Sequence, residues 1–292
     1  MTTSNTKKYM NAMLKSNPLS LKWVPPMTNG DRLTREVIDQ TLADALEPLD
    51  YIHAFWEGGA AAFERIDEWS DVDLYLVVDD KKVEETFLSV EKALKSLSNI
   101  EQKYDVTHPP ESGIFQAFYR LEDANEYLVI DLAVLTLSSP DKFLEPEIHG
   151  DAVFFFNKSD RVKPPPLDKD ALVRKLQKRL ERLQSRFDMF NSFVQKEINR
   201  GNYLEAIDFY RTLTLASLVE ALRIKYDPVH HNFKMHYIHY ELPSDVIKKL
   251  KHLHFIKDEK DLQEKYNEAT KWFPGIMLEI DQKEIELLIK GS

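Results

Sequence analysis

The sequence predicts an α+β domain built on a small mixed β-sheet, followed by an all-α helical bundle domain. Three observations carry this expectation. Over the first 163 positions short β-rich runs alternate with stretches of helical spacing; Pro164-Pro165-Pro166 then interrupts the chain with residues that lack a backbone donor; beyond them Leu and Phe recur every three or four positions. The expected domains are residues 1–163 and 164–292, with residues 1–30 a loosely ordered lead-in containing Pro25-Pro26. A chain of 292 residues, 43% apolar with 16 Phe and 12 Tyr, has enough material for a core in each.

From Thr34 to Leu49, Val37, Ile38, Leu42, Ala45 and Leu46 share a helical face that Pro48 ends. Tyr51–Trp56 is an apolar, aromatic run stopping at Gly58-Gly59, a short buried strand entering a tight turn, and Asp71–Val78 is a second strand. Lys81–Leu97 returns to helical spacing through Val83, Phe87, Val90, Leu94 and Leu97. Ile114–Leu121 and Tyr127–Leu135 flank Glu122-Asp123-Ala124-Asn125 as a hairpin, and Val153–Phe156 is one more short strand. After the prolines, Leu172, Leu176, Leu180, Leu183, Phe187, Phe190 and Val194 describe one long amphipathic helix starting near the capping candidates Asp168 and Asp170. Its stripe packs either inside a bundle or across a homodimer interface. Further helices are expected at 203–226, 244–255, 259–273 and 282–289.

Charge and composition narrow the function classes. The 49 acidic and 39 basic residues give a net charge of −10, which disfavours a nucleic-acid coat, since that affinity comes from neutralising phosphates. Residues 1–163 carry 17 basic against 29 acidic residues, a net of −12; residues 164–292 carry 22 against 20, a net of +2. Cysteine is absent, which removes disulfides, thiolate metal sites and a thiol nucleophile. No apolar run reaches the length of a membrane span or signal peptide, so no membrane association and a cytoplasmic location are the expectation.

The chemistry concentrates between Gly58 and Val78. Asp71 and Asp73 stand two apart at the start of an apolar strand, so their side chains project from one face, about 7 Å apart at Cα. Carboxylates so placed repel one another, and magnesium is the hard-oxygen partner that relieves this, above all when phosphates complete its coordination. The glycine pair upstream lets backbone approach a ligand and turn N–H groups toward phosphate oxygens. A third acid, Asp131, lies in the apolar run Tyr127–Leu135, where a charge needs a cation, an Arg or backbone donors at a strand end.

With its Gly-Gly turn, the downstream Ser70-Asp71-Val72-Asp73-Leu74 and the later Asp131, the chain resembles the nucleotidyltransferase superfamily (polymerase beta-like) over about Asp50–Leu135. Its helical second half resembles that of aminoglycoside-nucleotidyltransferase-like two-domain proteins. The resemblance implies transfer of a nucleoside monophosphate from an NTP, ATP the expected one, to a hydroxyl of a small-molecule acceptor, with release of pyrophosphate. It implies Asp71 and Asp73 as magnesium ligands, Asp131 as ligand of a second ion or as base, and Gly58, Gly59 and Ser70 at the nucleotide. The family often has Ser where this chain has Gly59, which shifts the phosphate contacts to backbone N–H groups. Two other outcomes are compatible with it: an idle nucleotide-binding or protein-interaction module, and a transferase acting on a protein.

Phosphate-facing cations are scarce in the acidic half, so the helical half is expected to supply them and to help form the acceptor pocket. Arg211 is the candidate, standing among uncharged helix positions; Arg223 and Lys225 read as ordinary helix-end cations. His230-His231 and His236-x-x-His239 lack a helical pattern with a carboxylate ligand and read as surface or substrate-facing residues. Of the aromatic residues near the site, Trp56, Phe63 and Phe154–Phe156 read as core, whereas Trp69 stands in a loop beside the acids.

Overall fold

A computed structural model of the chain describes residues 33–291, and the expected lead-in lies outside them. The chain divides into two compact units at Leu167/Asp168, just past the three prolines.

In unit 1, Thr34 caps α1 (Arg35–Leu46), the first helix of the described residues, by accepting from the Val37 amide through its side chain. Then come β1 (Ile52–Glu57), the short α2 (Gly59–Ala62), β2 (Val72–Val78) and α3 (Val83–Leu97). They are followed by β3 (Ile100–Val106), β4 (Ile114–Leu121), β5 (Ile130–Thr136), α4 (Pro146–His149) and β6 (Val153–Asn157). The six strands form one mixed sheet in the order β3-β4-β5-β2-β1-β6. Only β2 and β5 run parallel; the other neighbours are antiparallel, including the expected β4/β5 pair.

Both faces of the sheet are covered, which is why its central strands read as nearly continuous apolar runs. On one face Ile38, Leu42 and Leu46 of α1 and Val90 and Leu94 of α3 pack on Phe55, Leu74, Leu76 and Leu132. On the other, Trp56, Val77, Leu135, Leu144 and Val162 form a smaller core. Strand β3 has no counterpart in the sequence reading. Its central residues, Glu101–Asp105, are all exposed, because it is an edge strand whose charged side chains discourage further pairing.

Unit 2 is entirely helical among the described residues. It comprises α5 (Lys169–Phe190), α6 (Ser192–Arg200), α7 (Tyr203–Phe209), a π-helical turn at Tyr210–Leu215 and α8 (Ala216–Tyr226). The short α9 (Ile238–Glu241), α10 (Ser244–His254), α11 (Glu259–Glu279) and α12 (Gln282–Lys290) complete it. The side chain of Asp168 caps α5 by accepting from the Ala171 amide at 2.8 Å.

The single helix expected through Val194 is instead interrupted at Asn191. This buried residue is held by Thr214 (2.6 Å) and Thr270 (3.2 Å), and its carbonyl accepts from the Tyr266 hydroxyl at 3.1 Å. The helix expected over 203–226 is likewise divided by the π-helical turn. Helix α11 runs through Pro274, past the predicted end at Phe273. The buried stripe Leu262, Tyr266, Ala269, Phe273 and Ile276 continues across the proline, and Phe273 stacks on Phe187 at 3.8 Å, so packing outweighs the lost donor.

Candidate active site

Alternation on β2 buries Val72, Leu74 and Leu76 on one face and sends Asp73 and Tyr75 to the other, with exposed Asp71 just before the strand. The parallel register sets Asp73 directly beside Asp131 on β5, and strands pair at about 4.8 Å, so two carboxylates distant in sequence become neighbours on one face. A single parallel pair in a largely antiparallel sheet thus builds the acidic centre.

The glycine turn is fitted to this centre. Gly58 donates its amide to the Asp73 carbonyl at 2.8 Å, and Gly59 takes φ +50°, in the left-handed region open to glycine. A Cβ on Gly59 would stand 1.6 Å from Asp73 Oδ2. The Asp73 carboxylate therefore occupies the space that a serine side chain at 59 would fill.

Beneath β1, the fully buried Glu57 is ion-paired with Arg35 of α1, a residue that is itself almost wholly buried. The same guanidinium donates to the Ser70 carbonyl (3.0 Å) and to the Asp71 carbonyl, fixing the entry to β2 against the end of β1. Sequence reading missed both residues, since nothing local links a helix-start arginine to a strand-end glutamate. Among the described residues, Asp131 is held neither by an Arg nor by backbone donors. Gln116 of β4 donates to Asp131 Oδ1 at 2.6 Å, and His108 donates to Gln116 Oε1 at 2.8 Å.

The field on this face is strongly negative. Burial, then Asp71, Asp131 and Glu57, push the Asp73 carboxyl up to about 7, with Arg35 opposing. Burial also raises Asp131, against the Gln116 hydrogen bond. A set of carboxylates alone, crowded and partly desolvated, has the hard-oxygen chemistry that suits magnesium, and a divalent cation would relieve its repulsion. The three acids are not drawn to a point. Among the described residues, the one trio of His, Asp or Glu whose ligand atoms all lie within 4.8 Å is Asp227, His230 and Glu241 in unit 2. That trio corrects the expectation that the histidines lack carboxylates: His230 Nδ1 lies 2.7 Å from Asp227 and 3.5 Å from Glu241. Arg223 already supplies a cation there, 2.7 Å from Glu241.

The other candidates separate by unit. The Ser70 hydroxyl closes a turn with Asp67, donating to its carboxylate at 2.9 Å. Trp69 is 60% exposed, edge-on to Tyr127 at 4.8 Å, whereas Trp56 is buried and stacked on Tyr75. Arg211 stands in unit 2, exposed on the π-helical turn. Arg223 is not a solvated helix-end cation: it is fully buried, and besides Glu241 it donates to the carbonyls of Lys234 (2.6 Å) and His236. Lys225 pairs with Glu279.

No family model matches the chain, and no curated protein matches it in sequence. Among solved structures, it is similar to the crystal structure of an aminoglycoside 6-adenyltransferase from Bacillus subtilis, at 16% identity and a TM-score of 0.30, over 89% of this chain and 98% of that one.

Proposed function

We propose that unit 1 is a magnesium-dependent nucleotidyltransferase that moves a nucleoside monophosphate from an NTP, ATP the first choice, to a hydroxyl of a small acceptor. The observation that carries this reading is the parallel register of Asp73 and Asp131, with Asp71 two residues before Asp73 and the Gly58-Gly59 turn against the Asp73 carboxylate. Asp71 and Asp73 would hold magnesium, and Asp131 would hold a second ion or serve as base. The metal's contribution is to neutralise triphosphate charge and stabilise the entering and leaving oxygens.

This chain's own groups do the rest. The Gly58-Gly59 turn, bare of side chains, seats the Asp73 carboxylate against its backbone, and Ser70 closes the loop that delivers Asp71. The acceptor oxygen bonds to the α-phosphorus as the bond to the pyrophosphate oxygen breaks. In the base reading, the acceptor proton passes to Asp131, whose free acceptor capacity Gln116 orients. Asp71→Asn and Asp73→Asn should each abolish pyrophosphate release, in a screen of four NTPs and hydroxylated acceptors, while leaving the circular dichroism spectrum intact. Unchanged release in either variant would overturn the assignment.

That ligand oxygens of the three acids do not all lie within 4.8 Å of one another favours one competing reading, a nucleotide-binding module without turnover. Magnesium-dependent NTP binding with no release of pyrophosphate on any acceptor would select it.

A further inference from the structure

The helical unit contains a cavity of about 820 Å³ between α5, the π-helical turn, α8 and the segment 231–235. Its volume falls within the range of about 300–1,000 Å³ usual for small-molecule sites. Seven Lys and Arg residues line it, against a single carboxylate, Glu220. Glu220 is spent on Arg179, in a two-pronged contact whose Nη2 arm measures 2.7 Å. Arg186 donates to the Thr212 carbonyl at 3.1 Å and so ties the π-helical turn to α5. The remaining cations, Lys175, Lys178, Arg182, Arg211 and Lys234, are exposed side chains with no carboxylate within 4.0 Å among the described residues.

Such a concentration of one sign repels itself, and the fold nevertheless enforces it. Lys175, Lys178, Arg179, Arg182 and Arg186 repeat at three- and four-residue steps along α5, flanking the face that buries Leu176, Leu183 and Phe187, with Arg179 and Arg186 turned to Glu220 of α8 and to the π-helical turn. Lys234 is held on the rim at φ +53°, a conformation unfavourable for lysine, and the buried Arg223 grips its carbonyl. Arg211 is presented by the π-helical turn, an irregularity frequent at functional sites. The buried His231 reports the same field: desolvation first, then Lys175 and Arg179, hold its imidazole below the usual pKa.

The lining also narrows the ligand. Ala216, Val219 and Met235 form its apolar part, and no Phe, Tyr or Trp stands among the described lining residues, so they offer no platform on which single-stranded nucleic acids stack their bases. An amine-rich polycation would be repelled. We propose that this groove binds a small, multiply phosphorylated molecule through its phosphate groups, whether those belong to a nucleotide tail or to a phosphorylated non-nucleotide. The proposal goes beyond nucleotidyl transfer and stands without it, because the groove lies wholly within unit 2.

The test is calorimetric titration of the full chain, in EDTA so that no metal contributes, with inorganic tripolyphosphate, ATP, inositol hexakisphosphate and a single-stranded RNA 12-mer. Saturable binding of tripolyphosphate is expected. Lys178→Glu/Arg182→Glu should weaken it by about ten- to a hundredfold with an unchanged melting curve, since both side chains are exposed. The neutral pair Arg211→Gln/Lys234→Gln should act in the same direction, and Lys92→Glu, at an exposed position of the other unit, should bind as the native chain does. ATP exceeding tripolyphosphate assigns the phosphates to a nucleotide; inositol hexakisphosphate exceeding both assigns them to a non-nucleotide. Absence of saturable polyphosphate binding, binding indifferent to charge reversal, or tighter binding of the RNA than of every small phosphate compound would overturn the proposal.

Discussion

Replacing Asp73 by Asn should make the metal-free protein more stable while destroying the site. An aspartate whose folded pKa is about 7 against an ordinary 3.8 keeps a proton in the native state that the unfolded chain has already released. Stability therefore falls as pH rises from about 4 to about 7, and the whole loss is present above that window. A gap of about three pH units corresponds to about 4 kcal/mol, and the partial contact of Asp73 with water trims the expected effect to about 2–4 kcal/mol. Asp73→Asn keeps the shape and removes the charge. It should match the native chain near pH 4 and exceed it by that amount near pH 8. Urea unfolding followed by tryptophan fluorescence measures this, in a Trp272→Phe background that removes the one tryptophan of residues 168–292. Magnesium should raise the native stability near pH 8, where Asp73 is already ionised, and leave Asp73→Asn nearly unmoved. A variant no more stable than the native chain at pH 8 would refute the claim that crowded negative charge is stored at β2.

Three further outcomes follow from the same geometry. Gly59→Ser should cost about 1–3 kcal/mol, and the cost should shrink when Asp73 is also replaced by Gly, a coupling that a double-mutant cycle reads directly. Arg35→Met should destabilise unit 1 by about 3–5 kcal/mol by removing the cation of the buried Arg35–Glu57 ion pair, whereas Arg35→Met/Glu57→Leu should recover most of the loss in thermal denaturation. Gln116→Leu removes the donor that lowers the Asp131 pKa, so the acid limb of the pH–rate profile should move to higher pH with the plateau retained.

What the sequence disclosed and what it concealed divide by range. Asp71 and Asp73 are legible because strand alternation acts over two residues, and the leucine stripe of α5 because helical periodicity acts over four. The pairing of Asp73 with Asp131 is a matter of which strands become neighbours, and local pattern carries no such information. Arg35 and Glu57 were concealed for the same reason. The edge strand β3 lacks the apolar alternation that marks a strand, because it buries little. The cationic face of α5 was plainly written at three- and four-residue steps, on the polar side of a helix read for its leucines. Asn191 and Pro274 misled in opposite senses: a polar residue with three hydrogen-bonding partners broke a helix, and a proline within a packed stripe did not.

The parallel pairing of β2 with β5 also has a kinetic meaning. Helix α3 and strands β3 and β4 lie in the chain between β2 and β5, so Asp73 and Asp131 meet only when that long loop closes. Repulsion at the acidic centre is felt only once that closure is made. Charge at Asp73 and Asp131 should speed unfolding far more than it slows folding, and a cation arriving at the finished sheet would lengthen the lifetime of the native state without hastening its formation.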